Sequence, residues 1–276
     1  MLKIKKTIYR LVDLLRTERQ IPIVTALPQS TLLKNKVALI VGGTGGIGIA
    51  IAQKFLADGC SVIITGTSLK SVENGLKKIE SENAAGITLD MKSVKEFNQK
   101  VEEACNIFGK INILVNCAGL NDPSSFLEVT EEIYDRIMNV NTKGVYFLTQ
   151  AVAKYMIKNE IKGHILNISS ASALRPASTP YTISKCAISS MTKGFADMLI
   201  KYGITVNAIA PGPVATEMVG MTDLSDISHN TCPAGRYALP DEIANLAEYM
   251  VSDQGNLIVG ETVYITGGSG TISLHS

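Results

Sequence analysis

The sequence has almost no net charge: 26 lysines and arginines stand against 25 aspartates and glutamates, giving +1 at neutral pH. Proteins that grip nucleic acid through its phosphates carry a basic excess or a basic stripe, so no nucleic-acid partner is expected. Long hydrophobic runs are missing too. No apolar stretch reaches the roughly 18 residues a helix needs to cross a bilayer, so no membrane span is expected. Cysteine is sparse and scattered. Cys60, Cys105, Cys117, Cys186 and Cys232 contain no C-x-x-C spacing, which fits reduced thiols in a cytoplasmic protein and not a disulfide framework. His164 precedes a strand with no partner pattern and reads as structural, and His229 has only Cys232 nearby. Neither has metal-ligand spacing, and no metal is expected.

What is present is a chain of 276 residues, 46% hydrophobic, enough for one sizeable core. Residues 1–35 read as an N-terminal extension. Its first 20 residues mix Lys3, Lys5, Lys6, Arg10, Arg16 and Arg19 with Asp13 and Glu18, without the long apolar segment of a signal peptide. Ile8, Leu11, Val12, Leu14 and Leu15 fall on one helical stripe, suited to packing on the body or a neighbouring subunit, with surface binding to an anionic membrane as the alternative. From residue 36 to 276 strands and helices alternate. Strands are expected at 37–41, 61–65, 86–89, 111–115, 163–169, 204–208 and 261–266. Helices are expected at 47–57, 71–81, 92–108, 181–201 and 241–252, with one long helix or two in sequence over 130–158. Repeated β-α-β units imply an α/β fold. Its sheet is parallel and doubly wound, of the Rossmann type, in a single domain with helices on both faces.

The first strand runs into Gly42-Gly43-Thr44-Gly45-Gly46-Ile47-Gly48 and then a helix. Glycines let the backbone turn tightly and approach a pyrophosphate, while the helix start offers free N–H groups and a positive dipole end. Two glycine spacings coexist, so spacing alone leaves the register open. An acidic residue about 20 positions on would hold the ribose hydroxyl and repel a 2′-phosphate. The second strand ends instead in Thr65-Gly66-Thr67-Ser68, where the hydroxyls of Thr67 and Ser68, with Lys70 close by, can take a phosphate. This favours NADP(H), with NAD(H) as the alternative.

Taken together, the motifs resemble the short-chain dehydrogenase/reductase family over about residues 36–268. The glycine loop is similar to T-G-x-x-x-G-x-G with Val41 in place of threonine. Asn116-Cys117-Ala118-Gly119 is similar to N-N-A-G with a cysteine substituted, and Tyr181-Thr182-Ile183-Ser184-Lys185 matches Y-x-x-x-K. The departures at Val41 and Cys117 bear on loop rigidity more than on chemistry. The resemblance implies catalytic roles for Asn141, Ser170, Tyr181 and Lys185. Ser170 precedes Tyr181 by eleven residues, and Ser169 and Ser172 stay open as alternatives to it. It also implies dinucleotide contacts at Gly42, Thr44, Gly45, Gly46, Ile47 and Gly48, then Thr67, Ser68, Asp90 and Met91. Further contacts are implied at Asn116, Ala118 and Gly119, at Tyr181 and Lys185, and at Pro211, Gly212, Val214 and Thr216.

Tyr181 and Lys185 share a helix face. A free tyrosine titrates near ~10, and a neighbouring ammonium with a positive nicotinamide favours its phenolate. Tyr181 would then exchange a proton with the substrate oxygen, Ser170 would hydrogen-bond that oxygen, Lys185 would hold the ribose, and Asn141, in an irregular helix turn, would hold a relay water. Residues 216–236 should cover the substrate. Pro233-Ala234-Gly235-Arg236 and Pro240-Asp241-Glu242-Ile243-Ala244 most resemble the 3-oxoacyl-acyl-carrier-protein reductases. That implies a small carbonyl or alcohol substrate, held by an acyl carrier protein, with Lys154, Lys158, Lys162, Lys193 and Lys201 as its basic docking patch. A small polyol, sugar or hydroxy-ketone is the rival substrate, and a non-catalytic cofactor sensor the remaining alternative. Assembly as a homodimer or homotetramer is implied, with Ala187, Ile188, Met191, Phe195, Met198 and Leu199 as either interface or core.

Overall fold

The apolar run Val37–Val41 forms strand β1 and is buried along its whole length. In the computed structural model, which describes residues 31–221 and 224–272, six more strands complete one sheet. They are β2 (Ser61–Gly66), β3 (Ala84–Thr88), β4 (Ile113–Asn116), β5 (His164–Ile168), β6 (Thr205–Pro211) and β7 (Thr262–Ile265). Their order is β3-β2-β1-β4-β5-β6-β7, and every neighbouring pair is parallel. The doubly wound sheet expected from the alternating pattern is the one observed. The helical stripe and the charges of residues 1–20 lie outside the described residues.

Period-two alternation divides the core. Leu39 and Ile63 point to one face with Phe97, Leu148, Val152 and Ile188, under helices α3 (Phe97–Phe108), α5 (Val145–Lys158) and α6 (Pro180–Leu199). Ile40 and Ile64 point to the other, with Ile51, Phe55, Ile243 and Met250, under α1 (Gly46–Ala57), α2 (Leu69–Ile79) and α7 (Pro240–Val251). Leu33, inside the stretch expected to be an extension, is fully buried in this second cluster.

Local signals explain where elements start. Helix α2 begins two residues earlier than the 71–81 pattern implies because Ser68 caps it: its side chain accepts from the Ser71 N–H, and Ser71 returns a contact to the Ser68 backbone. Thr179 caps α6 in the same way, with Pro180 in the first turn. The 130–158 stretch is helical throughout but not uniform. Helix α4 (Glu131–Met138) passes into a π-helical turn, Asn139–Gly144, before α5. Strand order reverses between β1 and β4, and the loops leaving these strands meet: a β-carbon on Gly42 would stand 2.6 Å from the Ala118 Cα. Such a switch point opens a crevice at the carboxyl ends of the strands.

Candidate active site

A cavity of about 610 Å³ occupies that crevice. Gly42, Thr44, Gly45, Gly46, Ile47 and Gly48 line it, as do Thr67, Asp90, Met91, Ala118, Gly119 and Thr216. The loop is built for close backbone approach. A β-carbon on Gly48 would sit 2.5 Å from the Gly42 carbonyl oxygen, and one on Gly43 2.8 Å from the Ile64 side chain. Gly45 precedes α1 without a side-chain cap, so the first N–H groups of that helix have no side chain covering them where the cavity begins. An uncapped positive helix end, a cradle that β-carbons would fill and a long cleft fit the pyrophosphate of a dinucleotide.

Other sequence-expected contacts lie elsewhere. Ser68 is not in the lining; its Oγ accepts the Ser71 N–H as the cap of α2, and Ser71 lines the cavity with Thr67. Asn116 is buried beneath the cleft, where its Nδ2 donates to Thr149 Oγ1 at 3.1 Å and Asn167 Oδ1 at 2.9 Å, tying β4 to β5 and α5. Pro211, Gly212 and Val214 are not in the lining, and neither are Ser170, Tyr181 and Lys185, which stand beyond its Gly119 end. Gly212 abuts Thr266, and Val214 bridges to Ala238. Sequence reasoning missed Thr65, whose Oγ1 accepts from the Gly42 N–H at 3.3 Å and supplies the hydroxyl that Val41 lacks. It also missed Lys92, Arg136 and Glu217 in the lining.

Beyond Gly119 the cleft meets the titratable cluster. A β-carbon on Gly119 would lie 3.5 Å from Lys185 Nζ and 3.8 Å from Asn141 Oδ1. Lys185 is buried, donates to the Ile168 carbonyl at 2.8 Å and lies 5.6 Å from the centroid of the Tyr181 ring. Burial lowers its pKa to about 8; a Cys117 thiolate would oppose this, but burial pushes Cys117 up to about 11, so it is a neutral thiol at pH 7. Tyr181 stands on the same helix, one turn before Lys185. Its burial pushes the phenol up from its ordinary value, and this outweighs the hydrogen bond with the Ser170 side chain, which acts in the opposite direction. Of the serines, Ser170 meets the phenol. Ser169 points away, donating to the Lys185 carbonyl at 3.0 Å, and thereby fixes α6 to β5.

Asn141 lies in the π-helical turn, and its side chain is fully engaged: Nδ2 donates to the Leu120 carbonyl and to Ser184 Oγ, and Oδ1 accepts the Leu120 N–H. Both amide hydrogens are spent on protein partners, leaving the side chain no donor for a relay water.

The lysines expected to dock a carrier lie on or just after α5 and α6. Lys158 ends α5, Lys162 precedes β5 and Lys201 precedes β6, so these cations sit at the amino edge of the sheet. Lys193 is twelve residues beyond Tyr181 on α6, roughly 18 Å along the axis. Helices that return to start the next strand end on the edge opposite the cleft. Of the apolar residues expected at an interface or in the core, Ile188 is core and Met191, Phe195 and Leu199 pack against it, while Met198 is exposed. Arg236, from the Pro233–Arg236 motif, makes a two-pronged ion pair with Glu242, at 2.8 and 2.7 Å, which ties the cover segment to α7. His164 is buried with Nδ1 2.8 Å from Thr205 Oγ1, and burial lowers its pKa to about 4. Among the described residues no cluster of three His, Cys, Asp or Glu side chains is placed to hold a metal, and no helix is long and apolar enough to cross a membrane.

A dinucleotide crevice ending at a phenol, a hydroxyl and an ammonium defines a nucleotide-dependent oxidoreductase. A family profile described as enoyl-(acyl carrier protein) reductase matches residues 42–270. Galactitol 2-dehydrogenase of Agrobacterium fabrum is 35% identical over 252 residues, covering 86% of this chain and 98% of that protein. A 3-oxoacyl-[acyl-carrier-protein] reductase of Aquifex aeolicus is 33% identical over 243 residues, covering 86% and 98%. The crystal structure of 3-ketoacyl-(acyl-carrier-protein) reductase from Brucella melitensis, complexed with NADH, superposes with a TM-score of 0.79 at 30% identity, covering 87% of this chain and all of that one. The chain belongs to the short-chain dehydrogenase/reductase family and is an NAD(P)-dependent oxidoreductase acting between hydroxyl and carbonyl groups.

Proposed function

We propose that the chain is a ketoreductase whose proton donor is Tyr181, acting on a 3-oxoacyl thioester with NADP(H) as the preferred cofactor. The observation that carries the assignment is the convergence of Ser170, Tyr181 and Lys185 at the Gly119 end of the cleft. A reduced nicotinamide, when bound, would supply the hydride. Tyr181 donates its phenolic proton to the carbonyl oxygen as charge develops there, and Ser170 hydrogen-bonds the same oxygen. Lys185, fixed by the Ile168 carbonyl, stabilises the phenolate left behind and holds the ribose. Asn141 holds the Gly119–Leu120 backbone in position, so a relay water in this region would rest on main-chain carbonyls. Gly42, Thr44, Gly45, Gly46, Ile47 and Gly48 would cradle the pyrophosphate, and Asp90, Met91 and Thr216 in the same lining would hold the rest of the dinucleotide.

The preference for NADP(H) rests on Thr67 and Ser71 in the lining and on the absence of a carboxylate at the end of β2. Thr67→Asp would place a charge against a 2′-phosphate, raising the KM for NADPH by at least about tenfold and lowering that for NADH.

The thioester reading is supported by the Pro233–Arg236 and Pro240–Ala244 motifs. A polyol or keto sugar is the second reading, favoured by the similarity to galactitol 2-dehydrogenase. A screen of NADPH and NADH oxidation against acetoacetyl thioesters, diketones and keto sugars decides between them: faster turnover of a keto sugar than of any thioester overturns the first. The exposed Tyr134, Tyr146 and Phe147 on α4 and α5 support self-association as a dimer or tetramer, measurable by sedimentation. Action in the cytoplasm completes the proposal.

A further inference from the structure

Arg136 is a charged cleft residue that the proposed chemistry leaves unused. It stands on α4 four residues before Val140, and both line the cavity. Four residues further on, Gly144 packs against Met91 so closely that a β-carbon would stand 2.5 Å from the Met91 carbonyl oxygen. Arg136 and Val140 thus share the cavity lining with Asp90, Met91 and Lys92, and Gly144 brings this helical segment against the end of β3 at Met91. Lys185, held by the Ile168 carbonyl, marks the end of the cleft beside β5.

The guanidinium is anchored along one edge. Arg136 Nη2 donates to Asp122 Oδ2 at 2.7 Å. Asp122 is itself fixed, its Oδ1 accepting from the Ser124 N–H at 3.0 Å and the Ser124 hydroxyl at 2.6 Å. The Asp122 side chain is 16% exposed and that of Arg136 51%, so the carboxylate is sheltered while the guanidinium stays open at the cleft rim. A planar, weakly hydrated cation held at its edge keeps its face free, and such faces stack on aromatic rings.

We propose that Arg136 contacts the purine base of the dinucleotide, with Asp122 as its positioning residue, making this ion pair a determinant of affinity for the adenosine half. The inference rests on the reading of the cleft as the dinucleotide site. Calorimetric titration of the full chain with ADP, NAD⁺ and NADP⁺ tests it. Arg136→Ala weakens ADP about fivefold and both dinucleotides by the same factor, while Arg136→Lys, which keeps the charge but not the plane, recovers only part of the loss. Asp122→Asn weakens ADP about twofold when Arg136 is present and leaves it unchanged in the Arg136→Ala background. Equal ADP affinity in wild type and Arg136→Ala overturns the role of Arg136, and an undiminished effect of Asp122→Asn without Arg136 overturns the positioning role. If wild-type protein binds none of the three ligands, the reading of the cleft as a dinucleotide site falls, and this inference with it.

Discussion

Asn141 and Leu120 grip each other through two hydrogen bonds of 2.8 Å: the Asn141 Oδ1 accepts the Leu120 N–H, and its Nδ2 donates to the Leu120 carbonyl. One side chain thereby satisfies both main-chain polar groups of a residue in the cleft wall. It also fixes Gly119, the point where cavity and titratable cluster meet. Asn141→Ala strands both groups and the Ser184 hydroxyl contact, and stability measured by urea unfolding falls by about 3 kcal/mol. Asn141→Asp keeps the acceptor but loses both donors, and it sits between the two. Wild-type stability in Asn141→Ala contradicts the clamp.

Lys185 sets the expected pH dependence. Its pKa is lowered to about 8 by burial, so the ammonium that supports the Tyr181 phenolate is lost as pH rises through 8. The kcat/KM for carbonyl reduction, which reports groups of the free enzyme, stays level below that pH and declines above it. In Lys185→Met the limb near 8 disappears along with most of the rate. A profile that rises through pH 8 in the reductive direction contradicts the assignment.

His164 makes a separate prediction about stability. Its pKa is lowered from 6.5 to about 4 because the ring is buried, with Thr205 as its partner. Above 6.5 the imidazole is neutral in both folded and unfolded chains. Below it the unfolded ring gains a proton that the folded ring refuses, so stability declines as pH falls from 6.5 to about 4, by roughly 3 kcal/mol at most. The slope of Tm against pH over that window flattens in His164→Gln. An unchanged slope assigns the acid sensitivity to other groups.

The parallel sheet was legible because continuous apolar runs such as Val37–Val41 are what strands buried on both faces require, and because glycine clusters and caps separate them. The irregular turn around Asn141 was anticipated only through family resemblance; nothing in the local periodicity distinguishes a π turn from the helix on either side. Ser68 shows how one hydroxyl reads equally well as a phosphate ligand or a helix cap; in the structure it accepts the Ser71 N–H as the cap of α2. The bond of Thr65 to Gly42 crosses from one strand to the loop of its neighbour, a relationship absent from linear sequence. For the lysines proposed for carrier docking, charge is readable in the sequence, but the place each takes around the sheet depends on which way its helix runs.

The role of Tyr181 is tested most directly by replacing it with phenylalanine, which removes one oxygen and leaves the ring. The account predicts that Tyr181→Phe lowers the turnover of any accepted carbonyl substrate by about 10²- to 10⁴-fold, with NADPH affinity, followed by fluorescence titration, within about twofold of wild type. A variant that retains a tenth or more of the wild-type rate contradicts it.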